Sequence, residues 1–259
     1  MIYEFLTCEI ENKVALITIN RPPVNPLNSQ VFHELGHIVS NLEENKNVRV
    51  IVITGYGTKA FVAGADVKEM ASKDLVGINL MNKKSRAIFS LIENVSKPVI
   101  AAINGVALGG GFELALACDL RIASEHAKFS FPETGLGIIP GGGGTQRLQR
   151  IVGQGIAKEL IYFGGMIDAK RALELHLVNR VVPQEELIDE ALKWATKLTE
   201  KPAVALAMAK SSINHGGYVD LESGLTIEMA NFATAFASED AKEGISAFTE
   251  KRKPVFVGK

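Results

Sequence analysis

Residues 104–114 constrain the fold most, because here the chain passes from a strand through three glycines into a helix. The apolar run at residues 99–103 predicts a buried strand, and residues 112–118 predict a helix. Glycines let a ligand approach without an intervening Cβ, and a helix start offers N–H groups without intrahelical partners. Gly110 and Glu113 are three residues apart, so an N–H and a carboxylate should face the same side of one turn. Such a turn can hold a developing oxyanion beside an acid or base.

Two further segments carry compatible groups. Residues 59–70 follow an apolar run and contain small residues around Ala65, whose N–H is a candidate second oxyanion donor. Residues 129–140 place Glu133 directly after Pro132 among apolar neighbours. Apolar surroundings raise the cost of ionising a carboxyl group, which suits a proton donor. A glycine triplet alone is equally explained as a tight structural turn. The two additional segments favour a catalytic site.

Hydrophobic patterning predicts alternating strands and helices up to residue 143 and a mostly helical chain beyond it. The predicted strands are 5–11, 14–20, 48–54, 99–103, 120–123, 128–131 and 179–182. The predicted helices are 30–44, capped by Ser29, and 78–92, 112–118, 145–151, 154–163, 169–175, 185–199, 203–214, 221–237 and 239–249. This order predicts an α/β core of parallel strands with helices outside. A composition change near Pro183 predicts a catalytic core at 1–182 and a helical C-terminal region at 183–259.

Charge and composition narrow the function further. The net charge of −1 provides no basic surface for nucleic acid. No apolar run is long enough to span a membrane, so no membrane partner is expected. The N-terminus lacks a signal-peptide pattern and the C-terminus lacks a peroxisomal signal, which predicts a cytoplasmic protein. Cys8 and Cys118 are far apart, and reduced thiols are expected.

Residues 33–37 match the zinc motif HExxH, with His33 and His37 as ligands and Glu34 as base. The apolar stripe of this predicted helix is formed by Val31, Leu35, Ile38 and Leu42. At about 100° per residue, both histidines then fall near the opposite, solvent-facing side. We therefore predict no metal, and a third ligand farther along the chain stays an open alternative.

Two glycine-rich segments resemble nucleotide-binding motifs only in part. Residues 55–60 fit G-x-G-x-x-A, but a loop rather than a long helix follows. Residues 141–144 are four glycines without the lysine and hydroxyl residue of a P-loop. We interpret this run as a tight turn packed against the active site.

Three signatures occur in order along the chain: Ala63-Gly64-Ala65-Asp66, Gly109-Gly110-Gly111-Phe112-Glu113, and Pro132-Glu133 followed by Gly144-Thr145-Gln146-Arg147-Leu148. With them, the chain resembles the crotonase (enoyl-CoA hydratase/isomerase) superfamily from its first strands through residues 246–253. The resemblance implies an α/β fold, a spiral of ββα repeats with a helical C-terminal trimerisation region. It also implies a homotrimer or a hexamer built as a dimer of trimers.

For function, the resemblance implies an acyl-CoA thioester whose carbonyl lies between the N–H groups of Ala65 and Gly110. It implies reversible syn-hydration of a trans-2-enoyl-CoA to a 3-hydroxyacyl-CoA without a separate cofactor. Glu113 would activate water and Glu133 would supply a proton. The alternatives are enoyl-CoA isomerisation or other crotonase-type chemistry and, more remotely, non-catalytic acyl-CoA binding. An isomerase usually keeps only the carboxylate at Glu133, so Glu113 favours hydration.

Further substrate and CoA contacts are implied at positions that match the family. They are Val24, Ala63, Asp66, Val67, Lys68, Gly109, Pro132, Gly141, Phe248 and Lys251. The last two are often supplied across a subunit interface. Pro23 stands where members often carry a basic residue, which leaves that phosphate contact open. Each lysine is also consistent with an ordinary solvated surface charge.

Overall fold

The computed structural model describes residues 3–259, which contain ten strands and ten α-helices. The strands are β1 (Leu6–Glu11), β2 (Val14–Ile19), β3 (Val50–Gly55), β4 (Ala60–Ala63), β5 (Val99–Ile103), β6 (Val106–Leu108), β7 (Leu120–Ser124), β8 (Lys128–Ser130), β9 (Ile167–Asp168) and β10 (Arg180–Val182). The helices are α1 (Ser29–Glu44), α2 (Val67–Ala71), α3 (Leu75–Asn94), α4 (Gly110–Ala117), α5 (Gly144–Phe163), α6 (Ala169–Glu174), α7 (Leu187–Thr199), α8 (Ala203–Gly216), α9 (Leu221–Phe236) and α10 (Glu239–Thr249). Short 3₁₀ helices span Pro132–Leu136 and Gln184–Glu186. Within residues 3–259, every helix is too short or too polar to cross a membrane.

The strands form two sheets. One has the order β1-β2-β3-β5-β7-β10 and the other the order β4-β6-β8-β9. From β3 to β8, successive strands alternate between the two sheets, and strands β3, β5 and β7 pair in parallel, as do β4, β6 and β8. Helices follow each pair of strands, so every ββα unit adds one turn to a spiral. The predicted fold class is thereby confirmed.

The parallel central strands of the six-stranded sheet, β3, β5 and β7, are buried on both faces, as parallel strands generally are. Along β3, Ile51 and Ile53 face the core between the sheets, whereas Val50 and Val52 face a second core. Helix α7 covers this second core with apolar residues that include Leu187. A helix beyond residue 183 thus packs on strands that precede it, and the boundary at 182/183 stays a prediction.

The C-terminal helices leave an apolar surface uncovered. Helices α8 and α9 pack on each other as a hairpin, and α10 follows. The apolar side chains along one face of α9 are exposed: Leu221, Leu225, Met229, Phe232 and Phe236. Phe232 is 68 % exposed, which is unusual for a large aromatic side chain. We call this set of five residues the α9 face.

The HExxH segment lies on α1, where its glutamate is structural. Glu34 is buried, and its two carboxylate oxygens accept hydrogen bonds from the backbone N–H groups of Glu4 at 2.9 Å and Phe5 at 3.0 Å. His33 is exposed and His37 is half-buried against Tyr3. Within residues 3–259, no group of three metal-ligating side chains comes together. Glu34 therefore fixes the N-terminal segment onto α1.

Three short strands were not predicted from the sequence. Residues 61–66 are predicted as loop, but residues 60–63 form β4, and residues 106–108 form β6 between the predicted strand and the glycines. Strand β9 was also missed. These strands have four, three and two residues, and each lies within two residues of a glycine, which is typical of turns and loops. Strand β3 begins at Val50 rather than at residue 48.

Helix ends also differ from the predictions. Ser29 is the first residue of α1, and the cap is Asn28, whose side chain accepts the N–H of Val31. Helix α4 starts at Gly110, and α3 extends beyond residues 78–92 at both ends. The two helices predicted at 145–151 and 154–163 are the halves of α5, which is interrupted at Gly153 by a non-helical φ of 77°. Helix ends are rich in polar residues and glycine, so the apolar pattern does not show where a helix begins or ends. The first and last residues of each helix are therefore uncertain from sequence.

Candidate active site

A cavity of about 710 Å³ opens where strands β4, β6 and β8 end. These neighbouring strands are parallel, so their carboxyl ends lie at one edge of the sheet. The predicted site residues that line the cavity are Ala63, Ala65, Val67, Gly109, Gly110, Glu113, Pro132, Glu133 and Gly141. Ligands of α/β proteins commonly bind at this edge. The three sequence signatures thus meet at one site.

The candidate oxyanion donors follow equivalent positions on two strands. Ala63 of β4 pairs with Leu108 of β6, and Ala65 and Gly110 each lie two residues beyond that pair. A Cβ built on Gly110 would be 3.5 Å from the backbone nitrogen of Ala65, so the two amides are neighbours. Among residues 3–259, neither N–H donates a hydrogen bond to another protein group. Both are available to one acceptor in the cavity.

The loop that carries Ala65 is held from both sides. Leu27 donates its N–H to the Gly64 carbonyl and accepts the N–H of Asp66, each at 2.8 Å. The Asp66 carboxylate caps α2 and pairs with Arg21 at 2.7 Å. The hydrogen bond from Arg21 lowers the pKa of Asp66 below its ordinary value. Ala65 therefore has a fixed position before any ligand arrives.

Glu113 projects from the first turn of α4 and is only 4 % exposed. Its Oε1 accepts the N–H groups of Gly142 at 2.8 Å and Gly144 at 2.7 Å. Burial raises the pKa of Glu113, and these hydrogen bonds, together with the charge of Arg147, oppose the rise. A Cβ at Gly142 would lie 2.6 Å from Glu113 Oε2, so a side chain there would displace the carboxylate. The glycine turn thus aims one oxygen of Glu113 and leaves the other toward the cavity.

Glu133 occupies a different environment. It lies in the first turn of the 3₁₀ helix Pro132–Leu136, and its buried Oε2 has no hydrogen-bond partner within residues 3–259. Burial, and then the negative charge of Glu113, raise the pKa of Glu133 to about 7. Gly109 has a φ of 47°, and a Cβ there would lie 2.7 Å from Glu133 Oε1. The environment of Glu133 is therefore that of a carboxyl group that keeps its proton up to near-neutral pH.

The remaining predicted contacts lie outside the lining of this cavity. Val24 accepts the N–H of Ala63 through its carbonyl, and Asp66 is engaged by Arg21. Lys68 is exposed on α2. Phe248, which is 87 % exposed, and Lys251 lie at the end of α10. Within a single chain, these last two stand apart from the two glutamates.

Sequence reasoning missed the wall formed by α3. Its contributors to the cavity are Ile78, Met81, Asn82, Ser85 and Phe89. Their spacing follows one helical face, so the signal was available, but periodicity does not distinguish a core face from a cavity wall. The amides that hold Glu113 were expected only as a turn near the site. Which backbone N–H binds which carboxylate depends on contacts distant in sequence.

The raised pKa of Glu133 predicts a pH-dependent stability effect of Glu133→Gln. The folded protein keeps the Glu133 proton up to about pH 7, whereas an unfolded glutamate releases it near ~4.3. The contribution of Glu133 to the free energy of unfolding is therefore fully present at low pH and is lost as pH rises through about 7. After allowance for solvent screening, the variant should be more stable than wild type by about 1–2 kcal/mol at alkaline pH. Urea unfolding at acidic and alkaline pH, at one protein concentration, measures the difference; a difference independent of pH would contradict it.

The chain is similar in sequence and in fold to known proteins. A model of the family described as Enoyl-CoA hydratase/isomerase matches residues 9–259. The chain is 45 % identical to the crotonyl-CoA hydratase of Syntrophomonas wolfei over the full length of both chains. It is 45 % identical to the short-chain-enoyl-CoA hydratase of Clostridium acetobutylicum, over 95 % of this chain and 94 % of that one. The crystal structure of an enoyl-CoA hydratase from Bacillus anthracis superposes with a TM-score of 0.95 at 42 % identity, covering 99 % of this chain and 100 % of that chain.

Proposed function

The chain belongs to the enoyl-CoA hydratase/isomerase family, and we propose that it adds water reversibly to trans-2-enoyl-CoA to give 3-hydroxyacyl-CoA. One observation carries the proposed mechanism. Two carboxyl groups in different environments, Glu113 and Glu133, line the same cavity as two free backbone N–H groups. The reaction needs two proton-handling groups and a site for an enolate oxygen.

In the proposed mechanism, the thioester oxygen accepts hydrogen bonds from the N–H groups of Ala65 and Gly110. These bonds draw electron density from the conjugated double bond, so C3 becomes electrophilic. As negative charge reaches the thioester oxygen, the two fixed donors stabilise it without reorganisation. Both donors are backbone groups at the wall of the cavity, where such bonds are stronger than in bulk water.

Glu113 is the proposed base. Its Oε1 is fixed by two amides, which leaves Oε2 to accept a proton from water as the water oxygen bonds to C3. Glu133, whose pKa is raised to about 7, donates its proton to C2. The C2–C3 double bond becomes single, and one water has been added. The proton that Glu113 took from water must then pass to Glu133, directly or through solvent, before the next turnover. Because the carboxyl groups are neighbours, the hydroxyl and the proton reach the same face of the substrate, which is syn addition.

Assembly into a homotrimer or a dimer of trimers is proposed from the α9 face. Its five apolar side chains are exposed in the single chain, and contiguous apolar surface of this kind favours burial against another subunit. Phe248 and Lys251 would then contact CoA bound to a neighbouring subunit, and Lys68 would lie near the nucleotide. Changing Phe232 to glutamate should lower the mass in solution, as measured by sedimentation. An unchanged mass would place the interface elsewhere.

Incubation of the purified protein with crotonyl-CoA tests the reaction. Loss of the conjugated thioester absorbance and appearance of 3-hydroxybutyryl-CoA by mass spectrometry are expected. A parallel incubation with a 3-enoyl-CoA in ²H₂O detects isomerisation. Isomerisation without hydration would replace the hydratase proposal, and tight binding with neither reaction would indicate a non-catalytic acyl-CoA protein.

A further inference from the structure

A second set of contacts lies behind Glu113, on the side of the glycine turn away from the cavity. Arg147 of α5 donates a hydrogen bond from Nη1 to the Gly142 carbonyl at 3.0 Å. The N–H of the same Gly142 donates to Glu113 Oε1 at 2.8 Å. Gly142 thus has the guanidinium on its carbonyl and the carboxylate on its N–H. Any shift of Arg147 moves the backbone that aims Glu113.

Arg147 is itself held by Glu93 of α3. Arg147 Nη2 lies 2.7 Å from Glu93 Oε2, and Nε donates to Oε1 at 3.3 Å. This is a two-point contact between a planar guanidinium and a carboxylate, a geometry that fixes orientation as well as distance. The exposed fractions of the two side chains are 11 % and 20 %, so solvent competes weakly for the pair.

The C-terminal helical hairpin also reaches this pair. Tyr218, directly after α8, donates its hydroxyl to Glu93 Oε1 at 3.3 Å. Asn214 of α8 donates its side-chain amide to the Glu93 carbonyl at 2.8 Å. The orientation of Glu93 is therefore set jointly by α3 and by the C-terminal hairpin.

We propose that Arg147, oriented by Glu93, is a positioning residue that holds the Gly142 turn and thereby aims Glu113 at the attacking water. This inference rests on the proposed hydratase function. Glu113 must accept a proton from a water molecule at C3 of the substrate, and small errors in such geometry are costly. A displacement on the order of 1 Å at a reacting group lowers a rate by about a hundredfold.

The positive charge of Arg147 gives a second measurable effect, a change in the pKa of Glu113. The charged groups near Glu113 are Glu133 from the 3₁₀ helix, Arg147 from α5 and, behind Arg147, Glu93 from α3. The positive charge of Arg147 opposes the rise in the pKa of Glu113 that burial causes. Removing that charge should raise the pKa of Glu113 further. The acid limb of the kcat/KM profile, where the base becomes protonated, should then move to higher pH.

The experiment compares Arg147→Met, Arg147→Lys and Glu93→Gln in the full chain. Arg147→Met should lower kcat for crotonyl-CoA by about tenfold to a hundredfold, with a smaller change in KM. Arg147→Lys keeps the charge but loses the planar two-point contact, so kcat should recover in part and the acid limb should stay near wild type. Glu93→Gln should lower kcat less than Arg147→Met does.

Arg171→Met is the matched control. Arg171 of α6 is an exposed arginine that pairs with Glu174 at 3.2 Å, and within residues 3–259 its side chain makes no hydrogen bond or ion pair with the glycine turn, Glu93 or Tyr218. Its kcat and pH profile should match wild type.

Two readouts separate this inference from the proposed function. If wild type hydrates crotonyl-CoA while folded Arg147→Met and Glu93→Gln keep wild-type kcat and pH profiles, Arg147 does not position Glu113. A ¹³C NMR titration of the glutamate carboxyls, with Glu113→Gln for assignment, needs no catalysis. An upward shift of the Glu113 pKa in Arg147→Met supports the contact even for a protein that fails the hydration assay. If Arg147→Met does not fold, the same comparison with Arg147→Lys and Glu93→Gln decides.

Discussion

Glu133→Gln is expected to lower kcat for crotonyl-CoA hydration by about a hundred- to ten-thousandfold, the usual contribution of general acid–base catalysis. Glutamine has the shape of glutamic acid but has no proton to give to C2. Its neutral side chain also suits a place where burial already raises the pKa of the carboxyl to about 7. The fold should therefore persist, and circular dichroism with thermal unfolding checks that it does.

Glu113→Gln is expected to cost a similar factor for a different reason. Its Oε1 can still accept the amides of Gly142 and Gly144 as an amide oxygen, so the turn keeps its position. The atom that replaces Oε2 is then an NH₂ group, which accepts no proton from water. Binding of the thioester should survive in both variants, because neither removes an oxyanion donor. Near-full hydration by either folded variant would remove that carboxylate from the mechanism.

Gly110→Pro tests the oxyanion site and should lower kcat by about a hundred- to a thousandfold. Gly110 is the first residue of α4, a helix position where proline is well tolerated because that N–H has no intrahelical partner. The preceding Gly109 has no Cβ to clash with the proline ring. The substitution therefore removes the donor and puts a methylene in its place while the helix can remain.

Glu239→Pro is the matched control for that variant. Glu239 is likewise the first residue of a helix, α10, is exposed, and follows Ser238, whose extended backbone accepts a proline next to it. Its kcat should equal that of wild type. A folded Gly110→Pro enzyme that keeps wild-type kcat would show that the thioester oxygen does not need this N–H.

The proposed catalytic groups could be located in the sequence because each signature is local. Gly110 and Glu113 share one helical turn, so their relative placement follows from helix geometry alone. Glu133 follows a proline and has apolar neighbours, which indicates an apolar environment. Ala65 lies among small residues after a strand, which indicates that a ligand can approach its backbone closely. That these segments meet depends on the pairing of β4, β6 and β8, and the sequence did not predict β4 and β6 as strands.

The supporting contacts could not be predicted for the same physical reason. Arg147 and Glu93 are 54 positions apart in the chain, and no local pattern distinguishes an arginine that holds a glycine turn from a surface charge. The α3 wall has helical spacing, but so does any core-facing helix. Exposure of the α9 face likewise appears only once α8 and α9 are packed. Periodicity identifies an apolar stripe on a helix but does not show what packs against it.

The two proposed oxyanion donors, Ala65 and Gly110, are main-chain groups two residues beyond paired positions of adjacent strands, and in the proposed mechanism this separates electrophile activation from proton handling. Their separation follows from the pairing of β4 with β6, which persists under most side-chain substitutions. Proton delivery, in contrast, depends on two glutamate side chains that a single codon change can alter. Substitution of the glutamates on such a scaffold can change which thioester reaction is catalysed, while the backbone N–H groups continue to bind the acyl carbonyl.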